Sequence, residues 1–184
     1  MKTLADVQWE DWQATDPATL VFVVEDHRIL LIHKKTGLGA GKINAPGGKV
    51  DPGETPEQCA VRECQEELHI TPRTLQYCGQ NLFQFVDGYS IHVWVYKTSS
   101  YEGVPKETVE ARPLWCPLDD IPYDQMWEDD RLWLPLVLDN QVFVARWIFD
   151  GNSMLDSQID IIAGDHDRGM RDFTTYAARH SEHV

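Results

Sequence analysis

Three glutamates, Glu63, Glu66 and Glu67, follow closely on Gly48, Glu54 and Arg62. On a helix, spacing of i, i+3 and i+4 places three carboxylates on one face with Cβ atoms roughly 5–6 Å apart, where like charges destabilise one another. A hard divalent cation reverses that sign: Mg²⁺ takes oxygen ligands at about 2.0–2.1 Å and bridges carboxylates to phosphates. Arg62 can reach Glu66 one turn on, Glu54 lies just ahead of the helix, and the glycine turn brings backbone groups near the helix start. The plain alternative is a solvated acidic face, the usual fate of a charge run. Glycine turn, arginine and forward glutamate together favour assembly around metal and phosphate.

The element that must carry these carboxylates is a helix over 55–68. Thr55 is placed to be its N-cap, Pro56 suits the first helical position, and Gln58 completes a capping-box pattern, while Ala60, Val61, Cys64 and Leu68 recur at helical spacing. Before it, β-branched runs at 19–24 and 29–33 flank a short polar turn and read as an antiparallel hairpin, and 36–53 is a long glycine-rich loop. Further strands are expected around 75–86, 91–97, 113–117 and 142–149, with a second helix over 130–138. This order of strands and two helices indicates one α+β domain with helices packed on a sheet. Residues 1–17 read as a loosely packed arm, 18–158 as the domain and 159–184 as a tail, helical only at 171–179.

The chain has 184 residues, with 16 Lys plus Arg against 30 Asp plus Glu, a formal charge of −14. Its hydrophobic share of 42% suffices for one core. So acidic a surface is repelled by nucleic-acid polymers and anionic membranes, leaving a small anionic ligand screened by metal or by local basic residues. Cys59, Cys64, Cys78 and Cys116 form no CxxC pair and no dense framework, so zinc and disulfide readings are weak. The first residues lack an apolar h-region, and no run is long and apolar enough to span a bilayer. The expectation is a cytoplasmic monomer.

The spacing of Gly48, Glu54, Arg62, Glu63, Glu66, Glu67 and Ile70 resembles the Nudix hydrolase box. Cys64 stands where an aliphatic residue is usual, and His69 where a glycine ends the helix. The resemblance implies an α/β/α sandwich with a mixed β-sheet, and hydrolysis of a nucleoside diphosphate linked to another group. Mg²⁺ or Mn²⁺ would be held by Glu63, Glu66 and Glu67, with the Gly48 carbonyl and Glu110 beside them. Over residues 18–158 the chain is similar to the branch of that family acting on oxidised purine nucleoside triphosphates. That similarity implies substrate contacts at Thr19, Lys34, Asn44, Phe83, Phe85, Trp127, Asp129 and Asp130. Leu38, Ile43 and Ala45-Pro46 depart from the branch and put the pocket floor in question.

Physical chemistry is consistent with those roles. Two adjacent carboxyls sharing one proton present both an acceptor and a donor to a purine edge, and a tryptophan offers a π face. Against this, Asp129 and Asp130 could simply cap the second helix, and the aromatic residues could be plain core. The expected reaction releases a monophosphate and pyrophosphate from nucleotides such as 8-oxo-dGTP or 2-hydroxy-dATP. In it Glu67 or Glu63 is the base, Arg62 holds the helix carboxylates and Lys34 or Lys49 steadies phosphate oxygens. The alternatives are a Nudix diphosphatase of another nucleoside triphosphate, dinucleotide or sugar nucleotide, and a silent nucleotide-binding module.

Overall fold

The β-branched run at 19–24 forms the centre of strand β1 (Asp16–Glu25), which turns through Asp26 and His27 into β2 (Arg28–Lys34). Both turn residues are left-handed, at φ 48° and 58°, the backbone that a two-residue hairpin needs to match strand twist. The two strands pair only from Val23–Leu30 to Glu25–Arg28 and then part. Into the gap come β3 (Ile43–Asn44), paired with Ile32 and His33 of β2, and the glycine loop behind it. That loop runs along β1, taking up the Val21 N–H through Pro46 O and the Thr19 N–H through Gly48 O, each at 2.9 Å. This parting of strands opens the candidate site.

A computed structural model describes residues 2–162, so the helix expected at 171–179 lies outside the described residues. After the loop come α1 (Pro56–Leu68), β4 (Ile70–Arg73), β5 (Gln76–Phe85), β6 (Ser90–Thr98), β7 (Ser100–Gly103), β8 (Ala111–Pro117), α2 (Asp130–Leu138), β9 (Val142–Asp150) and β10 (Ser153–Ile162). The main sheet runs β10-β9-β5-β6-β1-β2-β3, with β8 also on β2, and β4 pairs with β7 separately. The pairs β1–β6 and β5–β9 are parallel and the others antiparallel, so the sheet is mixed, as expected.

Among the described residues, each face of the sheet buries one α-helix. On one side Ala60, Cys64 and Leu68 of α1 meet Val21, Val23, Leu30 and Ile32; on the other Trp133, Leu134 and Val137 of α2 meet Phe22, Val95 and Phe143. Truncating one of the fully buried tryptophans, Trp94, Trp133 or Trp147, would cost about 3–5 kcal/mol. The four cysteines are buried free thiols.

The N-terminal arm is docked, contrary to the loose packing expected. Gln84 and His92 alternate with pocket-side residues and so face the α1 side of the sheet. There Trp12 Nε1 donates to Gln84 Oε1 at 2.9 Å, and its ring meets His92 edge-on at 6.1 Å. Trp9 packs on Trp12 at 5.5 Å and beneath Arg146, and the Leu4 N–H donates to Asp156 Oδ2 at 2.8 Å. The arm thus covers the half of the face that α1 leaves bare. β10, which it grips, is not among the expected strands: it is part-exposed on both faces and lacks clean alternation. It carries the sheet past residue 158, where the domain was expected to stop.

Thr55 caps α1 as expected: its hydroxyl accepts the Gln58 N–H at 3.2 Å and Gln58 Oε1 accepts the Thr55 N–H at 2.9 Å. At the other end His69 adopts φ 59°, the left-handed cap that glycine fills without strain. His69→Gly should therefore stabilise the chain by about 1 kcal/mol, read as a higher urea midpoint at unchanged slope. A lower midpoint would mean that the imidazole makes contacts worth more than the strain.

Candidate active site

Helix α1 turns Glu63 and Glu67 inward. They share the buried stripe of Ala60, Cys64 and Leu68 and lie 9% and 1% exposed, while Glu66, a third of a turn round, is half-exposed. The three glutamates therefore do not converge as spacing alone suggested, and no group of three acidic, His or Cys side chains poised for a metal is found among the described residues.

Arg62 explains the departure. Its Nε and Nη2 grip both oxygens of Glu54 at 2.8 and 2.9 Å, Nη1 reaches Glu63 at 2.7 Å and Glu66 at 3.1 Å, and Nη2 also donates to Lys49 O at 2.9 Å. This guanidinium holds Glu54 below its ordinary pKa. Arg62 was expected among the catalytic residues, but it lies outside the cavity lining and acts as a positioning residue, tying the glycine loop to the helix.

Two glycines allow that close packing. A Cβ on Gly47 would fall 2.0 Å from Thr19 O, and one on Gly48 would fall 2.4 Å from the Glu63 carboxylate. The Gly47 N–H donates to Glu67 Oε2 at 2.9 Å, and Lys34 Nζ lies 3.4 Å from Glu67 Oε1. Burial still raises Glu67 to about 7 against the pull of Lys34, and burial raises Glu63 despite Arg62. Two buried, hard-oxygen carboxylates with too little positive charge beside them fit a divalent cation. Glu110 lines the same end. The Gly48 carbonyl already accepts from the Thr19 N–H at 2.9 Å and from the Cys59 thiol at 3.6 Å, so only by giving up that weaker thiol contact could it serve as a ligand.

The cavity holds about 280 Å³ and runs from these glutamates to an aromatic cage. Phe83 and Phe85 alternate along β5 and both face it, as FQF predicts, and Phe149 from the neighbouring β9 lies 5.9 and 5.8 Å from their rings. Trp127 stands edge-to-face with Phe149 at 5.8 Å, its own ring covered by Lys42 Nζ at 5.0 Å. Asp129 and Asp130 close this end at 1% and 3% exposure. Neither side chain caps α2. Asp129 Oδ2 accepts Trp133 Nε1–H at 2.8 Å and Asp130 Oδ2 accepts the Trp127 N–H at 3.1 Å, leaving Asp129 Oδ1 buried with no partner.

Burial raises Asp129 to about 6, and burial together with the neighbouring Asp129 charge raises Asp130 well above its ordinary value. Burial thus favours the protonated form of both carboxyls. Asn44 spends its Oδ1 on the Ala45 N–H at 2.8 Å, which leaves its amide donors for the cavity. Thr19 lines the wall, but its hydroxyl lies 3.3 Å from Cys59 Sγ, so it offers the cavity less than expected. Of the departing positions, Leu38 stands at the mouth, while Ile43 and Ala45 are core.

Phe149 and Tyr89 also line the cavity and were not expected there. Alternation along β9 puts Phe143, Ala145, Trp147 and Phe149 on one face, but only its parallel pairing with β5 aims that face at the site.

Residues 14–137 match the NUDIX domain, and the chain belongs to that family. Nudix hydrolases generally need a divalent metal. The chain is 45% identical over 138 residues to the oxidized purine nucleoside triphosphate hydrolase of Danio rerio, covering 74% of this chain and 88% of that protein. It is 41% identical to the protein of the same name from Mus musculus, covering 71% and 85%. A MutT NUDIX hydrolase from Burkholderia pseudomallei superposes with TM-score 0.61 at 29% identity, covering 66% of this chain and 97% of that one. A MutT protein from Bacillus halodurans shares the fold, with TM-score 0.70 at 22% identity, covering 79% and 97%. No helix among the described residues is long and apolar enough to cross a membrane.

The acid pair has a stability signature. Both carboxyls titrate higher folded than unfolded, so their contribution is fully present below about pH 4 and is lost as pH rises beyond that, through about 6 for Asp129. Asp130→Asn keeps an acceptor for Trp127 and cannot ionise. Its melting temperature should exceed wild type at pH 8, with the gain shrinking towards pH 4. A gain constant across that range would assign the effect to packing.

Proposed function

We propose that this chain hydrolyses oxidised purine nucleoside triphosphates, such as 8-oxo-dGTP or 2-hydroxy-dATP, to the monophosphate and pyrophosphate, clearing them from the nucleotide pool. The observation that carries this reading is one cavity with two buried carboxylates at one end and a proton-retaining carboxyl pair inside an aromatic cage at the other. The names borne by the fish and mouse relatives support it, as does that of an Escherichia coli 8-oxo-dGTP diphosphatase, 42% identical over 66 residues and covering 36% of this chain and 50% of that protein.

At the cage, an oxidised purine differs from a normal one by a donor or a tautomer on one edge. Asp129 and Asp130 present an acceptor and a shared proton to that edge, the Asn44 amide donates to another, and Trp127 with Phe83 and Phe85 encloses the ring faces. At the other end Glu63 and Glu67 would hold the cation, Mg²⁺ or in its place Mn²⁺, with Glu66, Glu110 and the Gly48 carbonyl as further oxygen ligands. When bound, that cation would supply positive charge to the triphosphate and lower the pKa of the attacking water. Glu67 or Glu63 takes the proton of the water that displaces the leaving pyrophosphate in line. Arg62 keeps the helix carboxylates from drifting apart. Lys34, released from Glu67, or Lys49 steadies phosphate oxygens. The acidic surface keeps nucleic-acid polymers out, and the proposal extends to a monomer working in the cytoplasm.

The test is pyrophosphate release across oxidised and normal purine triphosphates with Mg²⁺. Oxidised forms should exceed dGTP by at least about tenfold in kcat/KM, and equal rates would defeat the reading. Glu67→Gln keeps an acceptor for the Gly47 N–H. It should retain the wild-type melting profile and lose roughly 10²–10⁴ in kcat; wild-type turnover in that variant would remove the glutamate from the mechanism.

A further inference from the structure

Between the cage and the glutamates, one stretch of cavity wall has no role in the reaction just described. Tyr89 lies in the turn from β5 to β6, its backbone fixed by Phe85 N–H to Tyr89 O at 2.9 Å and by Tyr89 N–H to Asp87 Oδ1 at 2.9 Å. Its ring packs on Phe85 of the cage at 5.7 Å, and Lys49 Nζ, one residue beyond Gly48, lies over it at 5.9 Å. Asp16 at the start of β1 ties the two: its Oδ2 accepts the Tyr89 hydroxyl at 2.9 Å and pairs with Lys49 Nζ at 2.7 Å. Three segments distant in sequence thus hold one aromatic ring against the cavity, touching the cage through Phe85 and the glycine loop through Lys49.

A nucleotide that spans these two ends places its pentose at this level. We propose that the Tyr89 ring, held by Asp16 and Lys49, is the wall on which the pentose packs and that it selects 2′-deoxyribose over ribose. The hydroxyl proton of Tyr89 is committed to Asp16, and the ring face gives a 2′-hydroxyl no partner for the water it loses. The apolar C2′ of a deoxyribose gains the same contact without that loss. This assignment rests on the substrate reading above and adds the sugar to it.

The experiment measures kcat/KM for the deoxy and ribo forms of one oxidised guanine triphosphate, and for dGTP, in wild type, Tyr89→Ala and Tyr89→Phe, with melting profiles alongside. Wild type should prefer the deoxy form about tenfold. Tyr89→Ala should bring that ratio close to one while the preference for oxidised over normal base stays. Tyr89→Phe, which keeps the ring but loses its tether to Asp16, should lie between and covers the case in which the alanine variant fails to fold. A deoxy-to-ribo ratio in Tyr89→Ala within twofold of wild type, or a wild type without sugar preference, overturns the role of Tyr89 and leaves the base reading intact. A wild type indifferent to base oxidation overturns both.

Discussion

Four buried carboxyl groups, Glu63, Glu67, Asp129 and Asp130, line one cavity, and the penalty for burying like charge governs how the rest is built. Even after relaxation, a buried ion costs several kcal/mol unless it is paired or neutralised. The two ends of the cavity meet that cost differently. At the helix end positive charge approaches from Lys34 and Arg62, and a place remains for a cation. At the cage end, among the described residues, no guanidinium or ammonium pairs with either aspartate, Lys42 lying over Trp127 instead, and burial favours the protonated carboxyls. The same residue chemistry thus yields a cation binder in one place and a donor–acceptor edge in the other, distinguished by what packs beside it.

The scaffold enforces that separation. Because β1 and β2 pair only near their turn, β1 must find other hydrogen-bond partners, and the glycine loop supplies them. The loop is thereby laid beside α1, with Gly47 and Gly48 close enough to touch Thr19 and Glu63 directly. Arg62 then binds loop and helix through Glu54, Glu63, Glu66 and the Lys49 carbonyl, so the position of the inward carboxylates is set from outside the cavity. Across the sheet, β5 and β9 run parallel, which puts Phe83, Phe85 and Phe149 into one cage opposite α2.

What can be read from residues follows the range of the interactions. Helix α1, its Thr55 cap and its left-handed end at His69 depend on neighbours within a turn, and they stand where the spacing places them. The hairpin and α2 are local in the same sense. Glu66 departs from expectation because spacing i, i+3, i+4 defines neighbours on a helix but not which edge of that face the core will take. Arg62 settles it through partners up to thirteen residues away. The short strands β3, β4 and β7 escape a reading of local pattern because their pairing lies elsewhere in the chain, and β10 does because an edge strand half-wet on both faces carries little periodicity. Phe149 is legible as a strand residue but not as a cage wall, since that needs the register of β5 on β9. Only family resemblance points to the aspartate pair as a base-reading group. Residue type alone allows helix capping equally well, and in the fold the side chains serve Trp133 and Trp127 instead.

The docked arm ties the order of the chain to the order in which it can be built. Leu4, Trp9 and Trp12, which precede every strand of the sheet, have their anchors far along the chain: Gln84 and His92 on β5 and β6, Arg146 and Asp156 on β9 and β10. Until that last strand has emerged and joined the sheet, the arm has only part of its seat, and the polar half-face beneath it stays wet. Because synthesis runs towards the C-terminus, the arm is made before every strand that holds it and is among the last of the described segments to come to rest.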